Sequence, residues 1–273
     1  MTNVDPRNAV PSPVEFIDGR LDSGVLFLCD HASNALPAEY GDLGLDPMQF
    51  TRHIAYDIGA ADLTRRLAQI FNAPALLTTW SRLLIDPNRG ADDPTLVMRL
   101  SDGALIPGNA RIDAAEVQSR TDRFWKPYRE QAGELLDRMS QSVQIPVIVA
   151  LHSFTPVWKS YARPWQVGIL WDSDPRIAEP FIAALRAQPD LTVGDNEPYD
   201  GALEGDTLHE LGTKRGLAHM LIELRQDLVA TRAHAEDWAN RLAPLLASVL
   251  ASPHAHMIEH HRSRTERPVR KTP

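Results

Sequence analysis

The sequence predicts an α/β fold in which a mostly parallel mixed sheet lies between two helical layers, a three-layer α/β/α sandwich. Apolar runs at residues 25–29, 145–151 and 217–222 predict buried strands, because parallel strands covered on both faces are apolar at nearly every position. Over residues 51–71 and 238–250, apolar residues recur at three- and four-residue steps, which predicts amphipathic helices. Strands that alternate with helices favour this sandwich architecture.

Composition divides the chain into three parts. Residues 1–24 are rich in Pro, Asp and Asn and predict an irregular lead-in, residues 25–251 carry a single α/β domain, and residues 252–273 predict a flexible tail. Within the domain, residues 90–112 are interrupted by glycines and prolines and predict a long loop. Long loops are uncommon in compact domains unless they cover a site.

Charge and composition exclude several function classes. The formal net charge is −8, from 28 basic and 36 acidic side chains, which makes the chain a poor partner for nucleic acid. No apolar run approaches the ~20 residues that span a bilayer, and the N-terminus lacks a secretory apolar segment, so no membrane partner is expected. The single Cys29 excludes an internal disulfide and favours a cytoplasmic location. The oligomeric state stays open.

Two histidines occupy equivalent places after predicted strands. His31 comes two residues after the first run, and His152 comes directly after the second. Ligand sites in open α/β sheets lie beyond the carboxyl ends of the strands, so both imidazoles are expected at one pocket. Catalytic zinc sites use about three protein ligands and an open position for water. The alternative is that each histidine is a core residue whose nitrogens bond to the backbone.

The third metal ligand is less clearly indicated. Asp57 lies one predicted helical turn after His53, so the two share a face and Asp57 could complete a site of two histidines and one acid. Asp57 could instead orient a histidine from outside, and Asn34 could reach the metal through its amide oxygen. His53 and Ser153 are candidates for such an outer role. A surface helix pair of His53 and Asp57 is the structural alternative.

The third apolar run is followed by Glu223, the candidate general base. A carboxylate after a buried strand is partly desolvated, which raises its pKa toward the range where it can accept a proton at neutral pH. The alternative is a structural ion pair with Arg225 or Arg82.

Arginines in the predicted loops could bind an acidic small molecule, because the planar guanidinium matches a carboxylate. The alternative is that these are surface arginines, and that Asp86 pairs with one of them. The candidate substrate-binding residues are Asn34, Arg82, Asn88, Arg89 and Arg163.

Several of these segments together resemble the N-formylglutamate amidohydrolase family. They cover most of residues 25–250 in order: His31-Ala32-Ser33-Asn34, and residues 53–59, 81–89, 106–109, 151–156, 163–165, 194–199 and 222–227. The resemblance implies a zinc-carboxypeptidase-like α/β/α fold and a single hydrolase domain.

The resemblance also implies a reaction, the hydrolysis of N-formyl-L-glutamate to formate and L-glutamate, a step of histidine breakdown. It implies that His31 and His152 are metal ligands, that Glu223 is the general base and that Arg82 and Arg89 bind substrate carboxylates. Zn²⁺ is then the expected metal, and Asp57 is our prediction for the third ligand. Two alternatives stay open: hydrolysis of another N-acyl amino acid or γ-glutamyl amide, and a non-catalytic binding protein for small dicarboxylates.

Overall fold

A seven-stranded mixed sheet forms the centre of the computed structural model, which describes residues 12–266. The strands in chain order are β1 (Val14–Ile17), β2 (Val25–Cys29), β3 (Ala75–Thr78), β4 (Leu100–Ser101), β5 (Ala104–Leu105), β6 (Val147–Phe154), β7 (Val157–Trp158), β8 (Tyr161–Ala162), β9 (Val167–Leu170), β10 (Val193–Asp195) and β11 (His219–Arg225). The sheet order is β1-β3-β2-β6-β11-β9-β10. The central strands β3, β2, β6 and β11 are parallel, whereas β1 and β9 run antiparallel to β3 and β11.

Helices cover both faces of this sheet. They are α1 (Ala60–Phe71), α2 (Pro107–Ala110), α3 (Ala114–Arg120), α4 (Lys126–Met139), α5 (Pro175–Arg186), α6 (Thr207–Leu211) and α7 (Arg232–Leu250). Alternate residues of a strand point to opposite faces. Accordingly, Val25 and Phe27 of β2 pack with α1, α5 and α7, whereas Leu26 and Leu28 pack with α4. The predicted mixed, mostly parallel α/β class is confirmed.

The first helix is shorter than the periodicity of residues 51–71 predicts. Helix α1 begins only at Ala60, after Gly59 with a left-handed φ of 81°. A Cβ atom at Gly59 would lie 2.1 Å from the carbonyl oxygen of Val229, so this position requires glycine. His53 and Asp57 therefore lie in a series of turns and do not share a helix face. A hydrogen bond from the Asp57 amide to the His31 carbonyl, at 2.9 Å, holds this turn against the end of β2.

Both ends of the described chain are more ordered than the sequence predicts. Residues 14–17 of the predicted irregular lead-in form β1, which pairs with β3. The predicted tail packs back on the domain: the Arg176 guanidinium donates to the carbonyl of Met257, and Arg264 forms an ion pair with Asp200. Residues 1–11 and 267–273 lie outside the described residues. Within residues 12–266, no helix is long and apolar enough to cross a membrane.

The long loop over residues 90–112 contains short elements, the hairpin β4–β5 and helix α2. The hairpin brings Ser101 and Asp102 to the edge of the cavity that is described below. The loop therefore does border a site, as its length predicts.

Candidate active site

A cavity of about 280 Å³ opens at the carboxyl ends of the central strands. Its lining includes His31, Asp57, His152 and Glu223. His31 lies two residues after β2, whereas His152 and Glu223 come from β6 and β11. His152 and Glu223 lie inside their strands and not after them, because β6 and β11 extend to Phe154 and Arg225. They are paired neighbours in the parallel register. The topology therefore brings both predicted histidines and the predicted base together.

His31, Asp57 and His152 form a compact buried cluster in this cavity. One ligand atom from each lies within 4.8 Å of the others. Oδ2 of Asp57 is 2.7 Å from Nδ1 of His152 and 3.3 Å from Nδ1 of His31. The two rings meet edge to face, with centroids 4.8 Å apart. This arrangement directs two ring nitrogens and one carboxylate oxygen toward a common point.

Two further carboxylates hold the outer nitrogens of these rings. Nε2 of His31 lies 2.7 Å from Oδ1 of Asp86, and Nε2 of His152 lies 3.1 Å from Oδ2 of Asp30. Thr207 in turn donates its hydroxyl to Asp30 at 3.0 Å. Outer carboxylates of this kind fix the ring orientation and the tautomer of metal-binding histidines. No local sequence pattern indicates this role for Asp30 or Asp86.

Arg82 identifies which nitrogen of His31 carries a lone pair. Its Nη1 lies 3.1 Å from Nδ1 of His31, and its Nη2 donates to Asp86 at 2.8 Å. A guanidinium only donates hydrogen bonds, so Nδ1 of His31 accepts and Nε2–H donates to Asp86. The lone pair of His31 thus points toward the cluster.

Electrostatics in the cluster favour positive charge. Burial raises the pKa of Asp57, but His31 and His152 outweigh it and hold that pKa far below its usual range. Burial lowers the pKa of His152, but Asp30 and Asp57 raise it well above the usual value. A proton on His152 therefore supplies the positive charge that balances the surrounding carboxylates.

This donor set fits a divalent metal ion. Two imidazoles and one carboxylate are a common ligand set of catalytic zinc sites. Asp30 and Asp86 supply the outer partners that such ligands need. His31, Asp57 and His152 are therefore the residues that could hold a metal, and binding would release the proton of His152.

Glu223 differs from the other carboxylates because its buried Oε2 has no hydrogen-bond partner. The side chain is 5% exposed, and burial raises its pKa to about 8, with Asp57 adding to the shift and His152 opposing it. The structural ion pairs that the sequence allows do not form among the described residues, since Arg225 binds Asp227 at 2.8 Å and Arg82 binds Asp86. Glu223 therefore keeps an oxygen available to a bound molecule.

A family model for N-formylglutamate amidohydrolase matches residues 23–230. The chain belongs to the N-formylglutamate amidohydrolase family. The resemblance that the sequence motifs indicate is thus confirmed, and the chain is an amidohydrolase-type enzyme.

Two solved structures share the fold of this chain. A gene product of Agrobacterium tumefaciens is 32% identical, with a TM-score of 0.82 over 88% of this chain and 95% of that chain. An N-formylglutamate amidohydrolase from Ralstonia eutropha JMP134 is 19% identical, with a TM-score of 0.66 over 88% of this chain and 97% of that chain, and it shows the shared fold. No curated protein matches the sequence significantly.

In this member of the N-formylglutamate amidohydrolase family, two predicted substrate-binding residues lie away from the cavity lining. The Asn34 amide donates to the carbonyl of Phe50 at 2.7 Å and stabilises a loop. Arg163 is buried behind the wall, where it donates to Thr155 and to the hydroxyl of Tyr199. Asn34 and Arg163 thus stabilise the surroundings of the cavity, and neither side chain is part of the lining within residues 12–266.

The remaining predicted substrate-binding residues do line the cavity. Arg82 and Arg89 both reach the lining, and Arg89 donates to the carbonyl of Asn88 at 2.8 Å. Asn88 accepts a bond from the Thr207 amide at 3.2 Å, which holds the start of α6 against this loop.

The two residues predicted for an outer role differ in position. Ser153 supports Asp57: its amide donates to Oδ2 of Asp57 at 3.4 Å, and its hydroxyl donates to the carbonyl of Ile58 at 2.7 Å. His53 lies at the rim, 3.5 Å from Asp102, and not beside the metal-ligand cluster.

Proposed function

We propose that the chain cleaves N-formyl-L-glutamate, or a similar N-acyl amino acid, to formate or the corresponding acid and the free amino acid. The observation that carries the proposal is the pairing of two features in one buried cavity: a three-residue ligand cluster and, beside it, a carboxyl group with an unpartnered oxygen. Hydrolysis of an amide needs both a group that polarises the carbonyl and a base for water.

Zn²⁺ is the metal that we propose for His31, Asp57 and His152, and when bound it would polarise the acyl oxygen and acidify water. Without the positive charge of a bound metal, Glu223 is protonated near neutral pH, because its pKa is about 8. Positive charge on the neighbouring cluster lowers this pKa, so that Glu223 becomes a carboxylate. It then accepts a proton from water as the water oxygen bonds to the acyl carbon, and it gives that proton to the leaving nitrogen as the C–N bond breaks.

Arg82 and Arg89 are the proposed carboxylate-binding groups. Both line the cavity, and the Nε of Arg82 is buried without a hydrogen-bond partner. A carboxylate bound there would fix the position of the amide relative to Glu223, and such positioning is a major source of rate. The proposed reaction is a step of histidine breakdown if N-formyl-L-glutamate is the natural substrate.

The test combines metal analysis with formate release. We expect the purified chain to bind a divalent metal, to lose activity with a chelator and to regain it with Zn²⁺. Glu223→Gln should keep the metal and lose activity by roughly 10²- to 10⁴-fold, the usual contribution of general base catalysis. Glu134→Gln, on the exposed face of α4, is the matched control. If the metal-loaded chain hydrolyses no N-acyl amino acid or γ-glutamyl amide, it is not the enzyme proposed here, and a dicarboxylate-binding protein becomes the better description.

A further inference from the structure

Tyr199 lies on the same side of the sheet as the proposed base. Glu223 of β11 and Gly168 of β9 are register partners in an antiparallel pair, so their Cβ positions point to the same face, about 5 Å apart. The carbonyl oxygen of Glu197 lies 2.0 Å from the position that a Cβ atom at Gly168 would take, so this position requires glycine. The loop that leads to Tyr199 therefore packs one strand away from Glu223, and Tyr199 lines the same cavity.

Arg163 supplies a positive charge behind Tyr199. Its guanidinium donates to the Tyr199 hydroxyl at 3.1 Å and to Oγ1 of Thr155 at 3.1 Å. The side chain is buried against the Tyr199 ring, 5.0 Å from its centroid, and against the Trp158 ring at 5.6 Å. Its hydrogen-bond partners among residues 12–266, two hydroxyls and the Thr155 carbonyl, are uncharged. A buried cation with uncharged partners stabilises negative charge that develops nearby.

The hydrogen bond from Arg163 determines the role of the Tyr199 hydroxyl. A guanidinium only donates hydrogen bonds, so the hydroxyl oxygen accepts and its proton points elsewhere. Within residues 12–266 this is the only hydrogen bond of the hydroxyl, so its proton is available to a molecule in the cavity. Burial raises the pKa of Tyr199, with Glu223 adding to the shift and Arg163 opposing it. The hydroxyl therefore keeps its proton at neutral pH and is a neutral donor polarised by a cation.

We infer that the Tyr199 hydroxyl donates a hydrogen bond to the acyl oxygen of the substrate as negative charge develops on it, and that Arg163 holds this hydroxyl in place. The acyl group must lie beside Glu223, because Glu223 serves both the attacking water and the leaving nitrogen in the proposed reaction. A donor one strand away reaches the same group, and its proton stays on Tyr199 throughout. This inference rests on the proposed function and adds Tyr199 as a catalytic residue and Arg163 as a positioning residue.

The first experiment is Tyr199→Phe, which removes the hydroxyl and keeps the ring. We expect kcat and kcat/KM for N-formyl-L-glutamate, or for the N-acyl amino acid that the wild type hydrolyses fastest, to fall together by roughly 100-fold. KM and metal content should not change, because the lost bond forms only in the transition state. Tyr161→Phe, at an exposed tyrosine of β8, is the matched control and should keep the wild-type rate. A raised KM at wild-type kcat would show that the hydroxyl binds a group that does not react, and it would overturn the inference.

A double-mutant cycle tests whether Arg163 acts through Tyr199. Arg163→Met keeps a long apolar stem against the aromatic rings and removes the charge and the donors. We expect kcat to fall by roughly tenfold at unchanged KM in the wild-type background, and not to fall further in Tyr199→Phe. Equal losses in the two backgrounds would show that Arg163 acts independently of the hydroxyl and would overturn its assigned role.

The wild-type chain separates this inference from the proposed function. If the wild type hydrolyses at least one N-acyl amino acid and Tyr199→Phe is equally fast, the inference alone fails. If the metal-loaded wild type hydrolyses none, the proposed function fails and the inference fails with it.

Discussion

Asp57 and Glu223 lie in the same cavity, and both are buried, yet their surroundings differ. Asp57 accepts from the His152 imidazole and a backbone amide and lies 3.3 Å from Nδ1 of His31, and its pKa is held far below the usual range. Glu223 has an oxygen without a partner, and burial raises its pKa to about 8. The side that we propose to bind a metal is therefore preorganised as a charged network. The side that we propose to move a proton keeps an acid that is easily converted between its two forms.

Asp57 and Glu223 also contribute differently to the molecule. A fully partnered carboxylate holds other groups in place, whereas an unpartnered one is available to a ligand but costs folding free energy in its ionised form. Three variants test this division.

The largest effect is expected for Asp57→Asn. The amide keeps the shape of the side chain but removes the negative charge between the two imidazoles. We expect metal content, measured by elemental analysis, to fall close to zero, and activity to fall by more than the roughly 100-fold that an outer partner can cause. Asp237→Asn, on the exposed face of α7, is the control. Full metal occupancy in Asp57→Asn would remove Asp57 from the ligand set.

Asp30→Asn should have an intermediate effect. Asp30 contacts the outer nitrogen of His152 at 3.1 Å and does not line the cavity. Its replacement should weaken metal affinity by roughly 10- to 100-fold while leaving the metal-saturated rate closer to wild type. Competition with a chromogenic chelator measures the affinity. An affinity equal to that of the wild type would show that the His152 ring is oriented by its strand alone.

The smallest effect is expected on stability, from a third buried carboxyl group in the cavity. Burial raises the pKa of Asp206 to about 7, although the His209 amide donates to it. Because the folded-state pKa lies above the usual 3.8, the unfolded chain loses this proton first, and Asp206 makes folding less favourable as pH rises from about 4 to about 7.

Asp206→Asn removes this pH dependence and keeps a good residue at the start of α6. The variant should gain stability over the wild type by about 1–4 kcal/mol, and the gain should grow between pH 5 and pH 8. Urea unfolding across that range measures it, again with Asp237→Asn as the control. A gain that is the same at every pH would show that the Asp206 carboxyl does not titrate in this range.

Much of the fold is predictable from local patterns. The mostly apolar character of β2, β6 and β11 reflects burial on both faces, and the residues at or near their carboxyl ends converge because the strands are parallel. Apolar periodicity overestimates the length of α1, because it does not detect the left-handed φ of Gly59 that delays the start of the helix. The edge strand β1 has only one neighbour and a partly exposed face, so its pattern is weaker.

Local sequence patterns do not predict the direction in which a loop side chain points. His31, His152 and Glu223 are positioned by the sheet and meet as predicted. Asn34 and Arg163 are held by loops: Asn34 donates to the carbonyl of Phe50, and Arg163 donates to Thr155 and Tyr199, which line the cavity in its place. Asp86 meets His31 across 55 residues of chain, a pairing that no local pattern indicates.

The ion pair between Arg264 and Asp200 has a practical consequence. Arg264 lies beyond the last helix, α7, and it also donates to the carbonyl of Trp171 at 2.7 Å, whereas Asp200 borders the cavity. Truncation after residue 251, where the helical pattern ends, would remove this ion pair and the hydrogen bond to Trp171. Such a shortened protein should fold around its sheet but hold one edge of the substrate entrance less firmly, so residues 252–266 belong in any preparation used for kinetics.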